Sequence, residues 1–256
     1  MKKIMVMPDA QVKEGVPTEH LRWLGMHAIK KKPDYIVCIG DFADMPSLSS
    51  YDKGKKSFEG RRYKKDIEAT RQAMETFMSP IREEQARQLA NKKKIWQPRL
   101  ILTLGNHEHR INRAVECQAE LEGLLSVDDL GYEAAGWEVY PFLEVVVIEG
   151  IAFSHYFTSG VMGRPASNAK LVLQKKGMSC VQGHLQHRDI AYAFRADGKQ
   201  MTGLFVGAFY QHEEDYLGPQ GNAHWRGAWM LYNVHDGEFD EVALPMSYLK
   251  ERYSEN

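Results

Sequence analysis

The sequence predicts an α/β fold built on a buried parallel sheet. Residues 4–7 and 35–39 are short apolar runs without polar alternation, which is typical of strands covered on both faces. Apolar residues recur at helical spacing between them, over residues 21–29, so the segment is predicted to be a β-α-β unit. A third apolar run covers residues 99–104. Open α/β sheets bind their ligands at the carboxyl ends of such strands.

The rest of the chain is predicted to add a helical insertion and a second sheet. The charged stretch 45–98 has helical periodicity over 65–91, so we expect inserted helices near the sheet edge. Further helices are expected over 114–125 and 166–176. Other strands are predicted at residues 139–149, 151–154, 179–182, 191–195, 200–207, 228–234 and 239–244. Turns separate the last four, which favours antiparallel strands closing a second sheet.

Composition predicts one domain without a membrane span. The 256 residues are 43% hydrophobic and 26% charged, enough for one substantial core. The formal net charge of −1 gives no general attraction for nucleic acid or anionic lipid. No segment approaches the roughly 20 apolar residues of a span, and the cysteines lack Cys-x-x-Cys spacing. We therefore expect a cytoplasmic location, and the oligomeric state stays open.

Five polar fragments directly follow apolar runs. They are Pro8-Asp9-Ala10-Gln11, Gly40-Asp41, Gly105-Asn106-His107-Glu108, Ser154-His155 and Gly183-His184. Taken singly, a Gly-Asn pair more often serves a turn, and a histidine after a strand is more often a satisfied polar residue. As an ordered set at strand ends, the carboxylates, carboxamide and imidazoles predict a site for two divalent cations. Hydrolysis of phosphate esters is the chemistry that suits such a site.

In content and order, the fragments resemble the calcineurin-like metallophosphoesterase superfamily. Its pattern is Asp-x-His, Gly-Asp, Gly-Asn-His-Glu, a lone His and Gly-His-x-His, and the resemblance spans residues 9–187. It implies a four-layer α/β/β/α sandwich formed by a single domain, 1–256, in which 45–98 is the helical insertion. The metals would lie at the edge of the sandwich.

The resemblance also implies a role for each ligand. Asp41 would bridge the two cations, and Asp9 would bind the first. The second would be completed by Asn106, His155 and His184. A water shared by the cations would lose a proton near neutral pH and attack phosphorus in line.

Two positions depart from the family pattern. Gln11 stands where Asp-x-His has its histidine, and Gln186 replaces the second histidine of Gly-His-x-His. Both positions belong to the first cation, so we expect that site to be weaker than the second, and carboxamide oxygen favours magnesium or manganese over zinc. Manganese is the expected metal, and magnesium, iron, zinc and nickel are alternatives. His187 is an alternative ligand, but strand alternation places Gln186 on the side of His184.

His107 is the predicted acid for the leaving group, a role worth typically about 10²–10⁴-fold in rate. Asp44 or Glu108 would orient it. Arg110 and Arg164 are candidate phosphate clamps, because a guanidinium fork fits two phosphate oxygens. The remaining histidines apart from His187 are expected to be ordinary surface or packing residues, namely His20, His27, His109, His212, His224 and His235.

The sequence therefore predicts a metal-dependent hydrolase of phosphomonoesters or phosphodiesters. One alternative is a nuclease acting on DNA or RNA, steered by basic clusters at residues 53–65 and 92–94. Another is a binding or scaffold protein with an eroded first metal site, against which the presence of His107 argues. Steep salt dependence would distinguish the nuclease from an esterase of small molecules. The sequence has no motif that names the substrate.

Overall fold

Eleven strands form two sheets in the part of the chain that the computed structural model describes, residues 1–214 and 217–254. The strands are β1 (Lys2–Met7), β2 (Tyr35–Cys38), β3 (Arg99–Thr103), β4 (Glu138–Tyr140), β5 (Val146–Ile148), β6 (Ile151–Phe153), β7 (Cys180–Gln182), β8 (Arg188–Phe194), β9 (Gln200–Val206), β10 (Gly227–His235) and β11 (Glu238–Pro245). The first sheet has the order β11-β10-β1-β2-β3-β4 and the second β5-β6-β7-β9-β8. Strands β1 to β4 are parallel, which confirms the predicted β-α-β unit.

The described residues also form helices, most of which pack on the outer face of a sheet. They are α1 (Glu19–Lys31), α2 (Tyr63–Ala90), α3 (His109–Cys117), α4 (Ala169–Lys176), α5 (Gly218–Asn222) and α6 (Met246–Tyr253). One apolar core joins α1, α2 and α6 to the first sheet, a second fills the space between the sheets, and a third joins α4 to the second sheet. The order helix, sheet, sheet, helix confirms the four-layer arrangement. None of the described helices is long and apolar enough to cross a membrane.

Strand β1 shows why its sequence has no polar alternation. Ile4 and Val6 face the core between the sheets, whereas Met5 and Met7 face the helices. All four side chains are fully buried. Burial of each contributes about 1.5–3 kcal/mol relative to exposure.

Helix α2 lies within the segment predicted to be an insertion and packs against α1. Gly25 allows this approach, because a Cβ at that position would lie 2.5 Å from the carbonyl oxygen of Phe77. The helix predicted over 114–125 is wrong in its bounds. Helix α3 begins directly after the Gly-Asn-His-Glu fragment and ends at Cys117, where the chain continues into a single short 3₁₀ turn.

The single strand predicted over 139–149 is wrong. Strand β4 ends at Tyr140 in the first sheet, and β5 begins at Val146 in the second. Pro141 supplies no N–H to a ladder, and Leu143 has a φ of +67°, so the backbone turns there from one sheet to the other. A continuous apolar run can therefore conceal a crossing between sheets.

The prediction that all four tail segments close a second sheet is wrong for two of them. Strands β8 and β9 do extend the second sheet, but β10 pairs antiparallel with β1 and carries β11 with it in the first sheet. Residues 227–231 are buried on both faces of β10. The lack of polar alternation shows that such a strand is covered on both faces, but it does not show to which sheet the strand belongs.

Candidate metal centre

The polar fragments meet where the two sheets present the carboxyl ends of their parallel strands. The first sheet brings Asp9 after β1, Asp41 after β2 and Asn106 after β3. The second sheet brings His155 after β6 and His184 after β7. Ligand atoms of Asp41, His155 and His184 all lie within 4.8 Å of one another.

Asn106 completes this cluster. Its Oδ1 lies 2.9 Å from Nε2 of His155 and 2.8 Å from Nδ1 of His184. Nε2 of His155 is also 3.3 Å from Oδ2 of Asp41. Two imidazole nitrogens, a carboxylate and a carboxamide oxygen within this space form a donor set that suits manganese, iron, nickel or zinc. These four residues therefore fit a divalent cation.

The tautomer of His155 supports a role as a ligand. Its Nδ1 lies 2.9 Å from the carbonyl oxygen of Ile39. A carbonyl only accepts, so Nδ1 carries the hydrogen, and in the neutral ring the lone pair of Nε2 faces Asp41 and Asn106. Metal-ligating histidines usually donate their second N–H in this way.

Burial and neighbouring charges act in opposite directions on the two imidazoles. Burial lowers the pKa of His155, but the carboxylate of Asp41 outweighs this effect and raises it to about 9. For His184, burial and the nearby His155 lower the pKa to about 4, so this ring is neutral near pH 7. Occupancy by a cation would release the proton of His155.

Glycines leave the space that the carboxylates occupy. A Cβ on Gly105 would overlap Oδ1 of Asp41, and one on Gly183 would overlap Oδ1 of Asp9. Gly40 has a φ of +94°, and a Cβ there would lie 2.7 Å from Nδ1 of His155. The glycine in each of these fragments is thus a requirement of close packing around the ligands.

Asp9 and Asp41 are both buried, but their pKa values shift in opposite directions. Burial, supported by the charge of Asp41, raises the pKa of Asp9 to about 7, although His155 opposes the shift. Burial also acts to raise the pKa of Asp41, but His107 and His155 outweigh it and hold this pKa well below its usual range. Both oxygens of Asp9 accept the backbone N–H of His184, at 3.0 and 3.2 Å.

The two glutamines both have a backbone in the left-handed region. Gln11 has a φ of +43°, and its N–H donates to the carbonyl oxygen of Asp41 at 2.8 Å. Its side chain is fully buried, and neither carboxamide atom has a hydrogen-bond partner among the described residues. Gln186 has a φ of +58°, and its Oε1 accepts the hydroxyl hydrogen of Tyr210 at 2.9 Å.

Strand alternation does not govern the segment that contains Gln186 and His187. Strand β7 ends at Gln182, and both His184 and Gln186 have positive φ, so the segment is not extended. His187 is exposed, with Nδ1 3.2 Å from the carbonyl oxygen of Leu185 and its ring beside Phe205. The backbone turn, not the strand period, sets the direction of these side chains.

His107 lies beside the cluster with Asp44 as its partner. Nδ1 of His107 is 2.8 Å from Oδ1 of Asp44, and Nε2 is 3.7 Å from Oδ2 of Asp41. Burial lowers the pKa of His107, but the two carboxylates outweigh it and raise this pKa. Arg110 donates to the carbonyl oxygen of Asp44 at 2.7 Å, and its Nη2 lies 3.2 Å from Nε2 of His107.

Glu108 was one of two residues expected to orient His107. Its contacts are instead with backbone N–H groups and with Tyr132. Its Oε2 accepts the backbone N–H groups of Asp41 and Gly105, at 3.0 and 2.9 Å. Its Oε1 accepts the N–H of Ala43 at 2.9 Å and the hydroxyl hydrogen of Tyr132 at 3.2 Å. This buried carboxylate holds together the loops that follow β2 and β3.

Lys13 and Glu214 lie next to the site, although no pattern in the sequence indicates that they do. Nζ of Lys13 lies 3.1 Å from Oδ2 of Asp44 and 2.6 Å from Oε1 of Glu214. The same Oε1 is 2.7 Å from Nε2 of His212, a residue predicted to be ordinary. The charged partners lie 201 positions apart, so no local pattern reveals their contact.

Aromatic rings flank the imidazoles. The ring of Tyr156 lies 4.7 Å from that of His184, and Phe142 lies 6.1 Å from His155. His109, also predicted to be ordinary, stacks on Phe142 at 4.9 Å. All of the flanking rings are half-buried.

The other predicted phosphate clamp has no hydrogen bond to the residues of this cluster in the described part of the chain. Arg164 is exposed in the loop after His155, and its guanidinium makes no hydrogen bond to any residue within 1–214 or 217–254. Several lysines of the two basic clusters are also exposed, namely Lys53, Lys55, Lys56, Lys92, Lys93 and Lys94. Arg110 is therefore the clamp candidate that lies next to His107.

Comparisons with known proteins give similar structures but no sequence relative. No protein-family model matches the chain, and no curated protein matches its sequence. Yfce, a phosphoesterase from E. coli, is similar with 13% identity and a TM-score of 0.39, over 94% of this chain and 99% of that one. A conserved uncharacterized protein from Streptococcus pneumoniae TIGR4, a predicted phosphoesterase, has 12% identity and a TM-score of 0.36, over 94% and 97%. Likeness at this level does not assign a function.

Proposed function

We propose that this chain is a metal-dependent phosphoesterase of the calcineurin-like metallophosphoesterase superfamily. The observation that carries the proposal is the convergence of Asp41, Asn106, His155 and His184 from two sheets, with Nδ1 of His155 anchored on a backbone carbonyl. These four residues would hold the second cation. The first would be held by Asp9, Gln11, Asp41 and Gln186. Manganese remains the predicted metal, and the dinuclear site, the single domain and the cytoplasmic location remain predictions.

The cations would supply a Lewis acid for the phosphoryl oxygens and lower the pKa of a bound water. His107 supplies the proton for the leaving group. Its Nδ1 is held by Asp44, so Nε2 is the nitrogen that exchanges a proton with the departing oxygen. Arg110 lies 3.2 Å from that nitrogen and places positive charge where the leaving group departs.

The nuclease hypothesis has no comparable support. The lysines of the basic clusters are exposed, and exposed runs of charge are most often solvated faces. The scaffold hypothesis does not account for a buried His107 with an aligned carboxylate partner. A phosphomonoesterase or phosphodiesterase acting on a small substrate is therefore the function that the site supports best.

The test is hydrolysis of p-nitrophenyl phosphate, bis-p-nitrophenyl phosphate and a single-stranded oligonucleotide, each with manganese, magnesium, nickel or zinc. We expect turnover of at least one small ester with manganese, and its loss in the His155→Ala and His184→Ala variants. Cleavage of the oligonucleotide alone, falling steeply as salt rises, would favour the nuclease instead. No turnover with any of these metals would contradict the proposal.

A further inference from the structure

We infer that the two cation sites are chemically different: the first is an all-oxygen site for an exchangeable hard cation, and the second is a tight nitrogen and oxygen site. The inference rests on the proposed metal centre and deepens it. It predicts that one protein molecule takes up two different metals when both are offered.

The side chain of Gln11 lacks the partner that a buried amide requires. Neither Oε1 nor Nε2 has a hydrogen bond among the described residues, and the side chain is fully buried. Leaving such a group unsatisfied costs the full desolvation penalty of the amide. A cation on Oε1 would remove much of that cost, and the hydrogen bond from the N–H of Gln11 to the backbone carbonyl oxygen of Asp41 keeps the two residues next to each other.

Backbone strain at both glutamines points to the same site. A left-handed backbone conformation is unfavourable for a residue with a side chain, and Gln11 and Gln186 both adopt it. Strained residues of this kind concentrate at ligand sites, where the surrounding structure holds them. Asp41 and His184 also have positive φ, so four of the ligand candidates share the feature.

Gln186 is held by a hydrogen bond, and its Oε1 still has a lone pair that could bind a cation. The hydroxyl of Tyr210 donates to its Oε1 at 2.9 Å, which uses one of the two lone pairs of that oxygen. The nearby alternative, His187, is exposed and lies against Phe205. The first site, as proposed, would contain no imidazole and would consist of two carboxylates and two carboxamides.

The chemistry of the donors then separates the metals. Carboxylate and carboxamide oxygens suit magnesium and manganese, whereas imidazole nitrogen favours nickel, copper and zinc. Zinc would occupy the site with His155 and His184 first. Magnesium or manganese would occupy the site with Gln11 and Gln186, and would be lost on dialysis.

The experiment is a titration of the metal-free full chain with Mn²⁺, followed by calorimetry and by electron paramagnetic resonance of unbound Mn²⁺. We expect two classes of site whose dissociation constants differ by about 10- to 100-fold, the range that changes around a metal site produce. Two equally tight sites would overturn the inference, and so would a single site.

Variants assign each class of Mn²⁺ site to its ligand residues. Gln11→Leu is expected to remove the weak class and keep the tight one, whereas His155→Ala removes the tight class. The double variant Gln11→His, Gln186→His is expected to tighten the weak class at least about tenfold. Gln72→Leu, an exposed glutamine on α2, is the matched control and leaves both classes unchanged. A weak class that persists in Gln11→Leu would refute the assignment.

A second measurement needs no variant, so a folding defect cannot confuse it. One equivalent of Zn²⁺ is added to the wild-type protein before Mn²⁺. We expect the resonance of a single, magnetically isolated Mn²⁺, and one zinc retained after dialysis. Displacement of zinc by manganese, or uptake of two tight zinc ions, would contradict the inference. Both measurements are independent of ester hydrolysis, so an inactive protein with two unequal sites would refute the proposed function alone.

Discussion

The two sheets contribute different chemistry to one site. The first sheet supplies the carboxylates of Asp9 and Asp41 and His107, the candidate acid for the leaving group, whereas the second supplies the imidazoles of His155 and His184. The cluster of Asp41, Asn106, His155 and His184 needs residues from both sheets. The comparison teaches that the centre depends on how the sheets pack against each other.

The contact between the sheets is close at this edge. Nδ1 of His155, from the second sheet, lies 2.9 Å from the carbonyl oxygen of Ile39, from the first. Deeper in the same layer, the indole N–H of Trp229 donates to the carbonyl oxygen of Val206 at 2.9 Å. The apolar core between the sheets therefore sets the distance between the oxygen and nitrogen ligands.

The largest expected effect concerns a residue of the first sheet. His107→Ala should reduce kcat about 10²- to 10⁴-fold for alkyl phosphate esters, because their leaving groups need a proton. The loss should be smaller for p-nitrophenyl esters, whose leaving group departs as a stabilised anion. The measurement is kcat for both ester types with manganese. An equal loss for both would contradict the acid role, and His235→Ala, an exposed histidine, is the control.

The next effect tests the layer between the sheets. Phe153 on β6 is fully buried there, so Phe153→Ala should lower the free energy of unfolding by about 3–5 kcal/mol. Urea denaturation measures the change. Val147 on the neighbouring strand β5 is 56% exposed, and Val147→Ala should change stability by about 0.5 kcal/mol or less. Similar losses in the two variants would mean that the buried layer does not hold the sheets together.

A smaller effect is expected from a glycine at the junction. Gly105→Ala places a Cβ where Oδ1 of Asp41 lies, and displacement of a ligand by about 1 Å can reduce activity about 10²-fold. The control is Gly160→Ala, since a Cβ at Gly160 meets nothing within 4 Å. Metal affinity and kcat should fall together in the first variant and stay unchanged in the second. Unchanged metal affinity in Gly105→Ala would show that the ligands tolerate the shift.

The smallest effect concerns Lys13, which positions Asp44. Lys13→Met removes a hydrogen bond to a charged group, worth about 1.5 kcal/mol, so kcat for alkyl esters should fall about tenfold. KM should stay the same, because Lys13 acts through Asp44 and His107. Lys13→Arg should restore part of the loss. A change confined to KM would instead indicate that Lys13 binds substrate.

Local patterns were enough to predict the parallel unit and the ligand candidates that follow its strands. The runs before Asp41 and Asn106 are buried on both faces, so they stand out in the sequence. The crossing near Leu143 could not be predicted, because it separates two apolar segments that look like one strand. The sheet membership of β10 depends on a pairing with β1 more than 200 residues away.

Contacts between distant polar residues were also beyond prediction. Nothing near Lys13 in the sequence indicates Glu214, and the interaction exists only because the tail returns to β1. The direction of Gln186 depends on a left-handed backbone, whereas strand periodicity assumes an extended one. Periodicity predicts elements, but a site formed by loops depends on tertiary contacts.

Glu108 couples two loops of the first sheet to each other. One of its oxygens accepts the backbone N–H groups of Asp41 and Gly105 together, so the loops after β2 and β3 share a single acceptor. Moving one loop strains the attachment of the other. If the proposed cations bind, a shift of Asp41 would be transmitted to Asn106, and the two metal positions would be thermodynamically coupled through the scaffold as well as through the carboxylate of Asp41.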